Sequence, residues 1–205
     1  PHTDQIEISK DGTRKYRFVG PDGLAYESVY IPQVAKGRKT NTLCISSQTG
    51  CAVGCGFCYN ASLRKNRNLA ASEIVGQVLA VQDDVASLGE IATVTNIVYM
   101  GMGEPLLNYK NVIRSVEMIS KKDGLGFSQR RITVSTSGIS KMIRKLGDDQ
   151  VKFNLAFSLH AADNEKRSQL MSINESNPIE DVIDALKYFT NKTKRKVTFE
   201  YVALN

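Results

Sequence analysis

Several features that would indicate other protein classes are missing from the sequence. No apolar run approaches the ~18 residues that a membrane-spanning helix requires, and residues 1–16 are too polar for a secretory signal peptide. We therefore expect a cytoplasmic protein with no membrane partner. The glycine-rich fingerprint of dinucleotide-binding folds is also missing, because Gly101-Met102-Gly103 alone is not that motif. This absence argues against an enzyme of the Rossmann type.

Acidic residues are outnumbered by basic ones. The chain has 27 Lys and Arg against 21 Asp and Glu, which gives a formal charge of +6 at pH 7. Such a charge raises the encounter rate with a polyanion, of which RNA is the usual one. The basic clusters lack the interleaved aromatic residues of a single-strand stacking platform, so solvated loops are an alternative explanation for them. The clusters lie at residues 36–39, 64–67, 129–131 and 192–196.

The order of polar and apolar segments predicts an α/β fold. At 205 residues, 41% of them hydrophobic, the chain has the size and composition of one globular domain or slightly more. Residues 11–31 alternate polar and apolar side chains around the turn signal Gly20-Pro21-Asp22-Gly23 and predict a β-hairpin. We assign residues 1–40 to this N-terminal β-hairpin and a linker, and residues 41–205 to the core domain.

The core domain repeats a unit of strand, loop and helix. Alternation of strands with helices predicts a parallel sheet with right-handed crossovers, open or closed toward a barrel. In such folds, catalytic residues gather at the C-terminal ends of the strands. Strands are predicted at residues 43–46, 95–100, 131–135, 153–159 and 196–202, and helices from residue 72 and at residues 109–120, 139–146 and 178–189.

Three cysteines follow the first core strand with the spacing C-x3-C-x2-C, at Cys51, Cys55 and Cys58. Structural zinc sites prefer four ligands, whereas a [4Fe-4S] cluster held by three cysteines leaves one iron open. That iron can chelate the amino and carboxylate groups of S-adenosylmethionine (SAM), and an electron from the cluster then cleaves SAM to a 5′-deoxyadenosyl radical. The alternatives are a zinc site completed by His160 or Cys44, or simply buried thiols.

Together with other motifs, these cysteines make the chain similar to radical SAM enzymes. More narrowly, it resembles the bacterial adenine C2-methyltransferases of 23S rRNA and tRNA, over residues 27 to 205. This resemblance implies a partial (β/α) radical SAM barrel that uses a [4Fe-4S] cluster and SAM. The segments that carry it are residues 27–32, 43–58, 67–69, 99–106, 135–138 and 158–161.

The resemblance also implies which residues bind SAM. Gly103 and Glu104 in Met-Gly-Met-Gly-Glu-Pro match residues that hold the SAM amino group, although this stretch could also be a tight strand-to-helix turn. Four residues that end the third and fourth core strands match contacts to SAM, among them its ribose and carboxylate, and capping is the alternative for the Ser and His residues. These residues are Ser135, Ser158, Leu159 and His160.

Two further residues match catalytic positions of the family. In those enzymes a methylated cysteine near the C-terminus becomes a methylene radical that adds to adenine, and the thiol that matches Cys44 releases the adduct by disulfide formation. Glu27 matches a proton acceptor. From the residues alone, Cys44 would be a small buried hydrophobe and Glu27 a solvated carboxylate.

The sequence departs from the family pattern at two places. Residues 59–62, Tyr-Asn-Ala-Ser, differ from the usual sequence after the cluster, and no cysteine follows Cys58. We therefore expect a core that is incomplete at its C-terminus and a fragment that does not complete methylation alone. The rival hypotheses are a C8-methylating relative, another radical SAM reaction, and a non-enzymatic metal- or RNA-binding module. For the enzyme, we expect a monomer that accepts electrons from a low-potential donor such as flavodoxin.

Overall fold

A single mixed sheet forms the framework of the protein. The computed structural model describes residues 2–35, 38–63, 65–89 and 93–203, and within these its strands form one eight-stranded sheet in chain order. The strands are β1 (His2–Ile8), β2 (Arg14–Val19), β3 (Ala25–Ala35), β4 (Arg38–Cys44), β5 (Asn96–Tyr99), β6 (Ile132–Thr136), β7 (Asn154–Ser158) and β8 (Val197–Glu200). The α-helices are α1 (Ala71–Ala86), α2 (Tyr109–Ser120), α3 (Ser140–Asp148), α4 (Asn164–Leu170) and α5 (Ile179–Thr193).

Short 3₁₀ turns connect several of these elements. They cover Tyr59–Ser62, Pro105–Asn108, Gln129–Arg131 and Ser172–Glu175. Among the described residues, no helix combines the length and the apolar character that crossing a membrane requires.

The N-terminal part of the sheet is antiparallel. Strands β1 to β4 pair as successive hairpins, and the turn between β2 and β3 is closed by the Gly20 N–H, which donates to the Leu24 carbonyl at 2.9 Å. The predicted hairpin at residues 11–31 is therefore confirmed. Strand β1 was not predicted, because it is exposed and shows apolar alternation only at Ile6 and Ile8.

Strands β4 to β8 are parallel, with helices between them, which confirms the predicted fold class. Strand β4 begins earlier than the predicted strand at residues 43–46, because its polar first half pairs with β3 through backbone groups. Helix α4 was missed. It begins after Asp163, whose carboxylate accepts the Lys166 N–H at 2.8 Å as an N-cap. The sheet is continuous across residue 40, and the domain division there stays a prediction.

The core lies between the parallel strands and the helices. In β6, Ile132 and Val134 are fully buried, whereas Thr133 and Ser135 on the other face of the strand are partly exposed. Burying one aliphatic side chain of this size stabilises a fold by about 1.5–3 kcal/mol. The same alternation that fills the core thus leaves small polar side chains such as Ser135 on the opposite face, where a ligand can reach them.

An arginine joins the first hairpin to the first helix of the core. The guanidinium of Arg67 donates to both carboxylate oxygens of Glu73 at 2.8 Å and to Asp22 in the β2–β3 turn. The hydrogen bonds from Arg67 lower the pKa of Asp22 to about 2. Glu73 also accepts the Ala70 N–H at the start of α1. Arg67 therefore has a structural role, although it belongs to one of the basic clusters that indicated RNA binding.

Gln77 fixes helix α1 against the end of strand β4. Its side-chain oxygen accepts the Ser28 hydroxyl at 2.6 Å and the Ser46 N–H at 2.9 Å, and its amide donates to the Ser46 carbonyl at 2.9 Å. Gln77 and both partners are buried. Each of these polar groups would lose its partner if the amide were removed, which costs about 1–3 kcal/mol per buried group.

We expect Gln77→Leu to lower the free energy of unfolding by about 3 kcal/mol, because three buried polar groups would lose their partner. Urea denaturation followed by circular dichroism measures this quantity. The matched control is Gln82→Leu on the same helix, at a partly exposed position, which should change stability by less than about 0.5 kcal/mol. Equal effects of the two substitutions would contradict the role assigned to Gln77.

Candidate active site

The cysteine loop, residues 45–69, closes at its base by backbone pairing. The Thr49 N–H donates to the Arg67 carbonyl at 3.0 Å, and the Leu69 N–H donates to the Ser47 carbonyl at 3.0 Å. Gln48 and Asn68 form an isolated antiparallel bridge between these bonds. The three cysteines therefore lie in a loop whose two ends are held together next to the end of β4.

Two buried amide side chains tie the base of this loop to its neighbours. Asn108 donates from one nitrogen to the carbonyls of Ser47 and Leu69, both at 2.8 Å. Gln48 donates to the Asn68 side chain at 2.7 Å and accepts the Glu104 N–H at 2.8 Å. These bonds couple the position of the cysteine loop to that of the segment after β5, which carries Glu104.

The three cysteines line one cavity of about 310 Å³ at the C-terminal ends of the parallel strands. Burial raises the pKa of Cys51, and it raises the pKa of Cys55 to about 11. Neighbouring cysteine thiolates raise both values further, so the thiolates would repel one another until a metal centre compensated their charge. The wall also includes Gly103, Glu104, Ser135, Ser137, Ser158 and His160.

Within the ranges that the structure describes, no group of three or more His, Cys, Asp and Glu side chains is arranged around a point that could hold one metal ion. In a cubane cluster each cysteine binds a different iron, so its ligands need not meet at one point. Three thiols around a shared cavity are therefore compatible with a cluster of several irons.

Glu104 is a buried carboxylate on the wall of this cavity. Its Oε1 accepts the Leu106 N–H at 2.9 Å, and its Oε2 accepts the Ser137 N–H at 2.7 Å and hydroxyl at 2.8 Å. Burial raises the pKa of Glu104 above its usual value, and these hydrogen bonds oppose that effect. A buried carboxylate that faces a cavity is well suited to bind an ammonium group, because a charged partner offsets its desolvation.

Gly103 allows the chain to pass close to the cysteine loop. Its φ is +98°, and a Cβ atom at this position would lie 2.6 Å from the Gln48 side chain. A larger residue would therefore both strain the backbone and displace Gln48, which accepts the Glu104 N–H.

The predicted contacts on the third and fourth core strands meet at this cavity, with one exception. Ser135 and Ser158 have their hydroxyl oxygens 3.5 Å apart. His160 accepts the Val202 N–H at Nδ1, and burial, followed by the charge of Arg167, lowers its pKa. Leu159 does not line the cavity within the described residues, and its predicted contact with SAM stays a prediction.

The two predicted catalytic residues lie outside this cavity. Cys44 ends β4, and burial raises the pKa of its thiol to about 11. Glu27 is on β3, 3.8 Å from the Lys15 ammonium, and lines a separate cavity of about 320 Å³ together with Tyr59 and Leu63. The backbone still connects Glu27 to the cysteine loop, because its carbonyl accepts the Ser46 hydroxyl at 2.5 Å.

Sequence reasoning missed the residues that support the site. Ser137 lies in the segment 135–138, but nothing in the sequence marks its role, which is to donate twice to Glu104. Gln48 and Asn108 gave no signal, because buried amides have no characteristic spacing in a sequence. Arg167 also gave none, since a single arginine in a polar segment is normally exposed.

Comparison with known proteins gives a consistent result. Residues 45–205 match the family model described as the Radical SAM superfamily. The chain is 49% identical over 199 residues to a "Probable dual-specificity RNA methyltransferase RlmN" of Flavobacterium psychrophilum, covering 97% of this chain and 56% of that protein. It is 49% identical over 201 residues to the "Dual-specificity RNA methyltransferase RlmN" of Geobacter sulfurreducens, covering 98% and 52%.

A solved structure has the same fold. The crystal structure of a radical SAM methyltransferase from Sphaerobacter thermophilus superposes with a TM-score of 0.89 at 40% identity, covering 98% of this chain and 57% of that one. The chain thus spans about half the length of the relatives that it matches.

The raised thiol pKa values predict slow alkylation of the metal-free protein. At pH 8, a thiol with a pKa of about 11 is ionised roughly a hundredfold less than a thiol in an unfolded chain. We expect iodoacetamide to modify Cys44 and Cys55 at least that much more slowly in the native protein than in urea. Pulse labelling with peptide mass spectrometry measures both rates. Equal rates in the native and unfolded states would contradict the burial of these thiols.

Proposed function

The chain belongs to the radical SAM superfamily, and from this premise we propose that Cys51, Cys55 and Cys58 bind a [4Fe-4S] cluster with SAM beside it. We further propose that the whole protein methylates C2 of adenosine in 23S rRNA and tRNA. The observation that carries the proposal is the shared cavity, in which the three cysteines and the buried Glu104 face one another at the C-terminal ends of parallel strands.

The residues of the cavity match the chemical groups of SAM. When bound, the cluster supplies the electron that cleaves SAM to a 5′-deoxyadenosyl radical. Glu104 offers a negative charge to the SAM ammonium, and the hydroxyls of Ser135 and Ser158 can donate to its ribose or carboxylate oxygens. His160, with a lowered pKa, remains neutral near pH 7 and closes one side of the cavity against Phe57, with ring centroids 5.0 Å apart.

The remaining proposals concern RNA and the steps after radical formation. The net charge of +6 supports binding of RNA, and both named relatives are called RNA methyltransferases. We assign product release to Cys44 and proton acceptance to Glu27. Glu27 lines a second cavity, and its carbonyl accepts the Ser46 hydroxyl at the start of the cysteine loop, which supports a place for Glu27 beside the SAM site.

We also propose the cellular setting and the organisation of the chain. The enzyme acts as a cytoplasmic monomer and receives electrons from a low-potential donor such as flavodoxin. Residues 1–40 form an N-terminal unit, and residues 41–205 belong to the radical SAM core.

The cluster can be tested without RNA. After anaerobic reconstitution and reduction, we expect an electron paramagnetic resonance signal of [4Fe-4S]⁺ that changes on addition of SAM. Cys55→Ala should abolish the signal because it removes an iron ligand. Cys44→Ala is the matched control, since Cys44 does not line the cavity within the described residues, and it should keep the signal. Stoichiometric zinc with no such signal would overturn the proposed function.

The role of Glu104 can be tested by its affinity for SAM. We expect Glu104→Gln to weaken SAM binding roughly 10- to 100-fold, because a charge-assisted hydrogen bond contributes about 1.5–3 kcal/mol. Because the pKa of Glu104 is raised, the affinity of the unaltered protein for SAM should begin to fall at a higher pH than it would with an exposed glutamate at this position. Calorimetric titration of the reconstituted protein with SAM measures both effects.

The matched control for this substitution is Glu117→Gln, at an exposed position on α2. It should leave the dissociation constant of SAM unchanged within twofold. An equal affinity of the Glu104→Gln variant and the unaltered protein would remove Glu104 from the SAM site while leaving the cluster assignment intact.

A further inference from the structure

Arg167, on α4, is a completely buried arginine directly behind the cysteine cavity. It is 0% exposed. Its Nε donates to the Leu159 carbonyl at 3.0 Å, and its Nη2 donates to the carbonyls of Ser137 at 2.5 Å and Ser158 at 3.2 Å. Its Nη1 donates to the Asn174 side-chain oxygen at 2.7 Å. All four acceptors are neutral oxygens.

The positive charge of this guanidinium has no anionic partner in the described part of the chain. No carboxylate lies within ion-pair distance of Arg167 among those residues, and the guanidinium carbon also lies over the face of the Phe157 ring, 5.1 Å from its centroid. Burying an uncompensated charge costs several kcal/mol. The thiolate of Cys55 is within electrostatic reach, because its charge opposes the lowering of the Arg167 pKa that burial causes.

Arg167 also connects the strand ends that form the cavity. The carbonyls that it binds lie at the C-terminal ends of β6 and β7, at Ser137, Ser158 and Leu159. Ser137 in turn donates its N–H and hydroxyl to Glu104. A buried cation and a buried anion thus hold Ser137 from opposite sides, so that a shift of Arg167 would move the carboxylate that faces the cavity.

We propose that Arg167 is a positioning residue that supplies the counter-charge for the iron–sulfur cluster and makes the cluster easier to reduce. This inference rests on the proposed function. A doubly positive cluster core with three thiolates carries one net negative charge, and one electron adds a second. A fixed positive charge in a low-dielectric region stabilises the reduced form more than the oxidised form, and the hydrogen bonds of the buried Arg167 hold its charge in such a region.

The most direct test neutralises Arg167 without removing it. Asn174→Asp is nearly isosteric and places a carboxylate against Nη1, at the position of the present 2.7 Å bond. We expect the midpoint potential of the cluster to fall by about 59 mV, which corresponds to a tenfold change for a one-electron couple. At the potential that half-reduces the unaltered protein, the ratio of reduced to oxidised cluster should therefore decrease about tenfold. Dye-mediated dithionite titration, followed by electron paramagnetic resonance, measures this ratio.

The matched control is Asn154→Asp, which adds the same charge at the opposite end of β7, where Asn154 donates to the Arg130 carbonyl. It should leave the midpoint potential unchanged. Equal potentials in the two Asp variants would overturn the proposal. If the unaltered protein binds no cluster, the proposed function fails, and this inference fails with it.

Two substitutions of Arg167 itself separate its charge from its hydrogen bonds. Arg167→Lys keeps the charge but cannot reproduce the planar fork across three carbonyls, so SAM affinity should fall while the midpoint potential stays near that of the unaltered protein. Arg167→Gln should lower both the SAM affinity and the midpoint potential. If Arg167 had a purely structural role, both variants would lose stability and SAM affinity, and both would keep the midpoint potential of the unaltered protein. This result would also overturn the proposal.

Discussion

Three buried side-chain amides fix the position of the cysteine loop, and the rest of the site depends on them. Gln77 holds the start of the loop to helix α1 and strand β3. Asn108 joins the two sides of its base, and Gln48 links that base to the backbone of Glu104. An amide both donates and accepts, so each can satisfy groups of opposite polarity in a buried region. These hydrogen bonds therefore fix the base of the cysteine loop relative to the backbone of Glu104.

The site also contains two buried charges of opposite sign that do not touch. Glu104 faces the cavity, Arg167 lies behind it, and Ser137 is between them. In a chain without ligands both charges are costly to bury. A cationic ligand group near Glu104 and an anionic cluster near Arg167 would offset both costs. The same two buried charges that destabilise the free protein would therefore stabilise the protein with its ligands bound. Binding and folding are linked in this way.

The parts of the molecule that could be predicted are those with a local signal. Alternating hydrophobicity revealed the hairpin, short apolar runs revealed the parallel strands, and the spacing of the cysteines revealed their loop. Strand β1 and helix α4 escaped because one is exposed and the other is short and polar. Glu27 lines a second cavity because β3 packs beside the cysteine loop, and this packing has no local signal in the sequence. The burial of Arg167 depends on carbonyls from two strands, which no local pattern encodes.

The order of strands in the sheet has a consequence for how the chain acquires its structure. Each strand from β2 onward pairs with the strand that precedes it in the sequence. During synthesis from the N-terminus, every new strand thus finds its partner already made. Contacts between sequence neighbours also lower the loop-closure entropy that slows folding. The sheet can consequently grow one strand at a time at the ribosome, with the cysteine loop anchored to β5 before the last strands have been translated.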